Sequence, residues 1–367
     1  MAELAAAAMV TELVGDRADA WDRDGRLPLD LVRQLAKTGV LCPEVPEELG
    51  GLGLSSARAG ELTAHVGSLC SSLRSLMTSQ GMAAWTLRRF GDPQQRAEHL
   101  PSLTSGTLAG VAFSEPDAGS DLSAMTSRIE PDGAGVVVSG LKVWVTGAAY
   151  ADLLAVFGRY GDGAAVVLVP TAAPGVTVSP VPDPVGCRAA GHAAVRLDGV
   201  RLPASHLLGG AGAPLEWLVT SVLTHGRLSV AWGCVGILRS CLAAATRHAT
   251  ARRQFGKPLA EHQLVGRHLA ELLVAEQAAT HLCAHASRCW DAGTPDLVPA
   301  AVVAKHFAAG DAARGAAAAV QVLASAGARE GHAVARAYRD AKLMEIIEGS
   351  NEICQLLLAK HAVAVWA

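Results

Sequence analysis

The architecture of this 367-residue chain turns on Val136-Val137-Val138-Ser139-Gly140-Leu141-Lys142-Val143-Trp144-Val145-Thr146-Gly147. Two short β-type runs, Val136 to Ser139 and Leu141 to Val145, lie on either side of a single glycine. Successive side chains on a strand point to opposite faces, so Trp144 and Thr146 are expected to share one. Runs of the same kind follow at Asp152 to Phe157, Ala165 to Val169, Val176 to Val178 and Ala194 to Leu197, separated by Gly, Pro and Asp at hairpin-like spacing. Residues from roughly 106 to 212 therefore read as a compact central β domain, a barrel or a sandwich, ending at Gly209-Gly210-Ala211-Gly212.

On both sides the apolar period becomes helical. Residues 1 to roughly 105 read as an N-terminal α-helical domain, with Pro28 at the head of the amphipathic turn Leu29 to Leu35. After the glycine cluster, Trp217 to about Ala251 is apolar on most faces, as suits a central bundle helix. Further helices over the 260s to 290s, 298–325 and 351–365 make residues 213–367 an antiparallel four-helix bundle. The chain is thus an α+β multidomain protein in the order α, β, α.

Composition narrows the function classes. A net charge of −3 gives no basic footprint for nucleic acid, and Arg over Lys, 25 to 6, with abundant Ala reads as GC-rich coding. Charges interrupt every apolar run before the ~18 to 20 residues a membrane span needs, and no basic leader begins the sequence. Eight scattered cysteines without a CxxC pair read as reduced, packed thiols of a cytoplasmic protein. No P-loop and no GxSxG elbow occur. The glycines of Cys42 to Ser55 follow a helix and not a buried strand, which argues against a dinucleotide-binding turn. His281 and His285, near Cys283 and Cys289, share a helical face but lack a zincin glutamate, and read as a polar stripe, not a metal site.

Four stretches carry more than structure needs. Phe113-Ser114-Glu115-Pro116-Asp117-Ala118-Gly119-Ser120-Asp121 offers backbone N–H groups and hydroxyls to a phosphate or a heteroaromatic ring, or forms an ordinary turn. Trp144 with Thr146 can stack on a planar cofactor and hydrogen-bond it, or fill a core. Arg252-Arg253-Gln254-Phe255-Gly256 suits a diphosphate and a flat ring, or is solvated. Arg339 to Ile353 reads as a helix ending at Glu348-Gly349, with Ser350 or Asn351 capping the next. Beside Ile346 and Ile347, Glu348 is either a base whose pKa burial has raised or a solvated last-turn acid.

In order and spacing these stretches resemble the acyl-CoA dehydrogenase family of flavoproteins. Pro46-Glu47-Glu48-Leu49-Gly50-Gly51-Leu52-Gly53 is similar to its PEExGGxG segment, and Ser114 to Asp121 to its (T/S)EPxAGSD signature. Lys142 to Gly147 resembles its KxWITN strand, Arg253 to Gly256 its RxFG loop, and Arg339 to Ser350 its RDA…EG(T/S) ending. The resemblance covers essentially the whole chain and implies the same three-domain fold, with FAD as cofactor. It implies that Ser114 and nearby backbone meet the flavin's pyrimidine edge and Ser120 its pyrophosphate. It places Trp144 against the isoalloxazine and Thr146 near N5. Phe113, Gly119, Ser350 and Glu352 are counted with them as cofactor-binding. Arg252, Phe255 and Gln321 are expected at the ADP half of FAD held by a neighbouring subunit, so a homodimer or homotetramer is implied, with FAD at the interface.

Glu348 matches the family's usual catalytic base, and Thr224-His225-Gly226-Arg227, where a minority of members place theirs, has no carboxylate. The implied reaction removes the α proton of an acyl thioester with Glu348 while flavin N5 accepts the β hydride. Hydrogen bonds from the base's own backbone N–H and a ribityl hydroxyl would stabilise the thioester oxygen. Two features depart from the common pattern. Ala324-Ser325 stands where the family usually has Gly-Gly, and the chain is short and small-residue-rich. The second is similar to the acyl-carrier-protein dehydrogenases that make hydroxymalonyl and methoxymalonyl polyketide extender units. The expected partner is therefore a short acyl thioester on acyl carrier protein or coenzyme A, with an electron-transfer acceptor of unspecified kind. A flavin-dependent monooxygenase or oxidase on this fold, and a non-catalytic helical scaffold, are the alternatives.

Overall fold

The computed structural model describes residues 2–367. Six helices come first: α1 (Ala2–Val14), α2 (Ala18–Asp24), α3 (Leu29–Ala36), α4 (Ser56–Leu69), α5 (Ser71–Phe90) and α6 (Pro93–Thr104). Local signals set their ends. Ser55 caps α4, and Asp92 and Gln95 form a reciprocal capping box that starts α6. α5 is sheathed almost completely, and packs on α4, α6 and the sheet that follows.

The central strands are β1 (Ala109–Ala112), β2 (Arg128–Asp132), β3 (Gly135–Val145), β4 (Leu153–Tyr160), β5 (Gly163–Pro170), β6 (Val176–Pro180) and β7 (Ala193–Pro203). They form one curled mixed sheet in the order β1-β4-β2-β3-β7-β6, with β5 paired to the β4 flank. β1 runs parallel to β4, while β4–β5, β2–β3, β3–β7 and β6–β7 are antiparallel.

Burial explains the composition of these strands. Leu153, Ala155 and Phe157 of β4 face a core shared with α5, and Leu154 and Val156 face Val136, Val138, Val195 and Leu197 across the curl. A strand covered on both faces reads as a continuous apolar run, which is why β4 and β5 do not alternate. The two runs Val136 to Ser139 and Leu141 to Val145 are one strand. Two short strands add to those visible in the sequence, β1 and β2.

The C-terminal part holds α7 (Leu215–Ala251), the short hairpin β8 (Arg253–Gln254) and β9 (Lys257–Pro258), then α8 (Gln263–Ala292), α9 (Leu297–Leu323), α10 (Ala333–Met344) and α11 (Asn351–Trp366). By length and composition α7 could cross a membrane, with a mean hydropathy of 1.6, but 67% of that window is buried. Its apolar surface is covered by α4, α5, α8 and α9, so it is the central rod of the molecule. All eight cysteines are free and buried.

Candidate functional site

The site grows from the turn between α10 and α11. The sequence suggested a helix running to Glu348, but α10 stops at Met344. The N–H groups of Ile346 and Ile347 both bond back to Leu343 O at 3.0 Å, and Asn351 N reaches Glu345 O at 2.9 Å. Glu348 and Gly349 then take the left-handed conformation, φ 54° and 90°. Glycine adopts it freely, whereas a glutamate there carries strain of order 1 to 3 kcal/mol. Two buried cations hold the turn in place. Arg227 Nε donates to Glu348 O at 3.1 Å, and Lys305 Nζ to Gly349 O at 2.7 Å. Burial pushes the pKa of both cations down. Ser350 caps α11 by accepting from Ile353 N at 3.4 Å, and Glu352 is exposed in its first turn.

The residue Glu348 keeps some surface, but its Oε2 is sealed and has no hydrogen-bond partner. The burial does not come from Ile346, which is 54% exposed. It comes from across the fold. A Cβ added at Gly226 of α7 would stand 2.5 Å from Glu348 Oε2 and 2.7 Å from Met82 Sδ of α5. A bare glycine therefore makes the floor on which the carboxylate lies. Burial pushes the Glu348 pKa above the usual carboxylate range, and Arg227, Lys305, Arg74 and His225 pull against it without prevailing. A sealed, unpartnered carboxylate oxygen seeks a proton, as a general base must.

The sheet supplies a second group. β3 slips register against β7 between Lys142 and Val145, and Trp144 there has φ 54°. The bulge replaces the simple alternation expected from the sequence. Trp144 is thrown outward, 53% exposed, and Thr146 lies just past the strand end. Both meet His192. The Trp144 and His192 rings are 5.7 Å apart, and Thr146 Oγ1 is 3.3 Å from His192 Nδ1. Burial, with Arg74 nearby, pushes the His192 pKa down to about 4, so the ring is neutral, and its Nε2 is buried without a partner.

The loop from Phe113 to Asp121 hangs on an ion pair whose role the sequence did not reveal. Glu115 Oε1 meets Lys142 Nζ at 2.8 Å, with both side chains almost fully buried. Glu115 Oε2 accepts from Thr126 N and Oγ1 at 2.7 Å each, and Lys142 Nζ also donates to Phe113 O at 3.1 Å. Burial opposes the charged form of Glu115, but Lys142 and the hydrogen bonds prevail and hold it down to about 2. Val143 N donates to Ser114 O at 2.9 Å, which ties the loop to the Trp144 strand. Phe113 rests on Phe157, while Gly119 and Ser120 are exposed, and a Cβ at Gly119 would touch nothing.

Arg74 joins the two halves. It is buried, donates to Thr78 Oγ1 at 3.2 Å and Met344 Sδ at 2.9 Å, and acts electrostatically on both His192 and Glu348. Arg252, Phe255 and Gln321 lie elsewhere and are exposed, Phe255 by 96%. Arg252 is 26 residues beyond Gly226 along α7, about 39 Å at 1.5 Å per residue. No side chain spans that, so Arg252 does not join the Glu348 pocket of its own chain.

Family models for the acyl-CoA dehydrogenase N-terminal, middle and C-terminal domains match residues 1–107, 110–200 and 216–363. The probable acyl-CoA dehydrogenase YngJ of Bacillus subtilis is 33% identical over 96% of this chain and 97% of its own length. The solved structure of FkbI, for biosynthesis of the methoxymalonyl extender unit of the Fk520 polyketide immunosuppressant, superposes with a TM-score of 0.94 at 61% identity, covering 98% of this chain and 99% of that one. A glutaryl-CoA dehydrogenase from Mycobacterium smegmatis in complex with FADH2 matches with a TM-score of 0.92 at 27% identity, over 99% and 94% of the two chains. The chain belongs to the acyl-CoA dehydrogenase family, and is an oxidoreductase acting on acyl thioesters.

Proposed function

We propose that this chain is an FAD-dependent dehydrogenase of a short, oxygen-bearing acyl group carried on acyl carrier protein, with Glu348 as its base. The observation that carries the reading is the Glu348 carboxylate, sealed over Gly226 with Oε2 unpartnered. The residues fit a flavin. A large aromatic plane, Trp144, is turned out of the sheet, beside a buried and unsatisfied nitrogen of neutral His192 and the Thr146 hydroxyl. The exposed Gly119 and Ser120 leave backbone open to a phosphate. When bound, FAD supplies the two-electron acceptor for the hydrogen leaving the β carbon.

The chain's own residues do the rest. Glu348 takes the proton as the α C–H bond breaks, and bound substrate keeps water from the carboxylate. Arg227 and Lys305 fix the peptide units at Glu348 and Gly349, so the carboxylate cannot swing away. The Glu348 backbone N–H is assigned to the thioester oxygen, where it would stabilise developing enolate charge. Phe113, Ser114, Ser350 and Glu352 complete the cofactor set. Arg252, Phe255 and Gln321 are assigned to the FAD of a neighbouring subunit, which their exposure and the distance of Arg252 from Gly226 support. Exposed Leu264 and Val274 of α8, and Leu356, Val363 and Trp366 of α11, supply apolar surface for such an assembly. The likeness to FkbI, a protein for biosynthesis of a methoxymalonyl extender unit, supports a short, oxygen-bearing acyl group.

The test is Glu348→Gln. The variant should bind FAD as tightly as the parent but fail to bleach it when acyl thioester is added without oxygen. Undiminished bleaching overturns the assignment.

A further inference from the structure

Next to the Glu348 floor, a narrow, partly enclosed cleft lies between α4, α5, α7 and the Cys42–Val45 loop. Its walls are largely apolar, from Ala59, Met77, Ala84, Leu228 and Trp232. His225 also lines it, immediately before Gly226 in sequence. The ring is held from several sides. Its Nε2 is 3.2 Å from Glu44 Oε2, and Arg88 Nη1 in turn holds the Glu44 backbone carbonyl at 2.9 Å. Trp85 lies parallel to it within 11°, and Trp290 meets it edge-on at 5.6 Å. The bare backbone of Gly81 lets the ring come close, since a Cβ there would stand 2.9 Å from His225 Cε1.

That clamp uses one ring nitrogen only. His225 Nδ1 is buried and has no partner. A buried polar atom left unpaired costs free energy that a suitable ligand atom recovers. We propose that His225 is a specificity-determining residue, whose Nδ1 hydrogen-bonds an oxygen substituent, a hydroxyl above all, on the acyl chain. The proposal rests on the dehydrogenase reading of Glu348.

Two chemical points select a hydroxyl on a short chain. With Nε2–H turned to Glu44, Nδ1 of the neutral imidazole is an acceptor, and in the imidazolium it is a donor. A hydroxyl serves either form. His225 also adjoins the glycine beneath the base, so the oxygen it binds belongs on a carbon at or next to the reacting pair. A long, unsubstituted chain entering this cleft would leave Nδ1 unsatisfied.

The experiment uses FAD-loaded wild type, His225→Phe and His225→Asn, with propionyl, 2-hydroxypropionyl and 3-hydroxypropionyl groups loaded on holo acyl carrier protein. Phe keeps a ring against the tryptophans but has no nitrogen, whereas the Asn amide can occupy the Nδ1 position. Both kcat/KM from flavin bleaching and Kd from calorimetry are measured. Wild type should prefer at least one hydroxylated group over propionyl by about 10-fold or more. His225→Phe should abolish that ratio, whatever it does to the propionyl rate itself, and His225→Asn should restore part of it. No preference in wild type, or equal losses on all three groups in His225→Phe, overturns the proposal. If wild type binds the hydroxylated group more tightly and His225→Phe erases that difference in Kd, but no group bleaches the flavin, the dehydrogenase reading fails and the His225 contact stands. If it bleaches with all three at equal Kd, the reverse holds.

Discussion

Gly226→Ala tests the carboxylate floor with a single methyl group. The added Cβ would sit 2.5 Å from Glu348 Oε2, 2.8 Å from its Cδ and 2.7 Å from Met82 Sδ, where ordinary contact begins near 3.4 Å. The carboxylate must therefore withdraw by about 0.9 Å, and a displacement near 1 Å at a reacting centre costs about 100-fold in rate. The fold should tolerate the change. Gly226 has helical geometry inside α7, so alanine gains about 1 kcal/mol of helix propensity against the ~1 to 3 kcal/mol of overpacking. The assay is anaerobic stopped-flow bleaching of the flavin by acyl thioester, alongside FAD content and the melting curve. The expected result is normal FAD content, a Tm lowered by no more than a few degrees, and kcat reduced about 100-fold. Wild-type bleaching kinetics in a folded Gly226→Ala protein would refute the idea that the carboxylate on this floor is the working base.

Other perturbations follow from the same geometry. Only ionised Glu348 can take a proton, and burial raises its pKa, so the bleaching rate should climb with pH and reach its plateau above the usual glutamate range. A plateau already complete near pH 4.5 would contradict that. The folded state binds this proton more tightly than the unfolded chain, so its contribution to stability is lost as pH rises from about 4.3 through the folded value. Melting curves of Glu348→Gln should accordingly show equal or greater stability than wild type at pH 7. Lys142→Met strands Glu115 in a buried site and should cost about 3 to 5 kcal/mol in denaturant unfolding, with part of it recovered in the Glu115→Gln/Lys142→Met double variant, whose neutral amide oxygen can still accept from Thr126. Ala324→Gly should stabilise the protein by about 1 kcal/mol, because Ala324 sits at φ 50°. With ψ −132° it lies outside the left-handed helical region, in backbone space that glycine alone enters readily, so relief of about 1 to 3 kcal/mol of strain outweighs the entropy that glycine adds to the unfolded chain.

The sequence made the layers legible because each has its own period, and the apolar runs of β4 and β5 marked the sheet's doubly covered heart. β1 escaped because Ala109-Gly110-Val111-Ala112 is short and small, and β2 because only Ile129 of its five residues is buried. The motif residues were visible for a different reason: each lies in a contiguous stretch. What surrounds them was not. Glu348 is desolvated by Gly226 and Met82, and its turn is pinned by Arg227 and Lys305, all from helices remote in sequence. The bulge at Trp144 and the staple between Glu115 and Lys142 are likewise tertiary facts.

The sealed thiols have a use that the enzyme chemistry does not touch. Burial lifts Cys42, Cys70, Cys234 and Cys241 up to about 12, so even a fluctuation that admits reagent would find little thiolate. Alkylation of the native protein should therefore wait on cooperative opening. Because Cys42 and Cys70 report on the N-terminal core, Cys234, Cys241 and Cys283 on the bundle, and Cys354 on the helix after Glu348, a mass-resolved labelling time course would serve as a clock with separate hands for each part of the molecule.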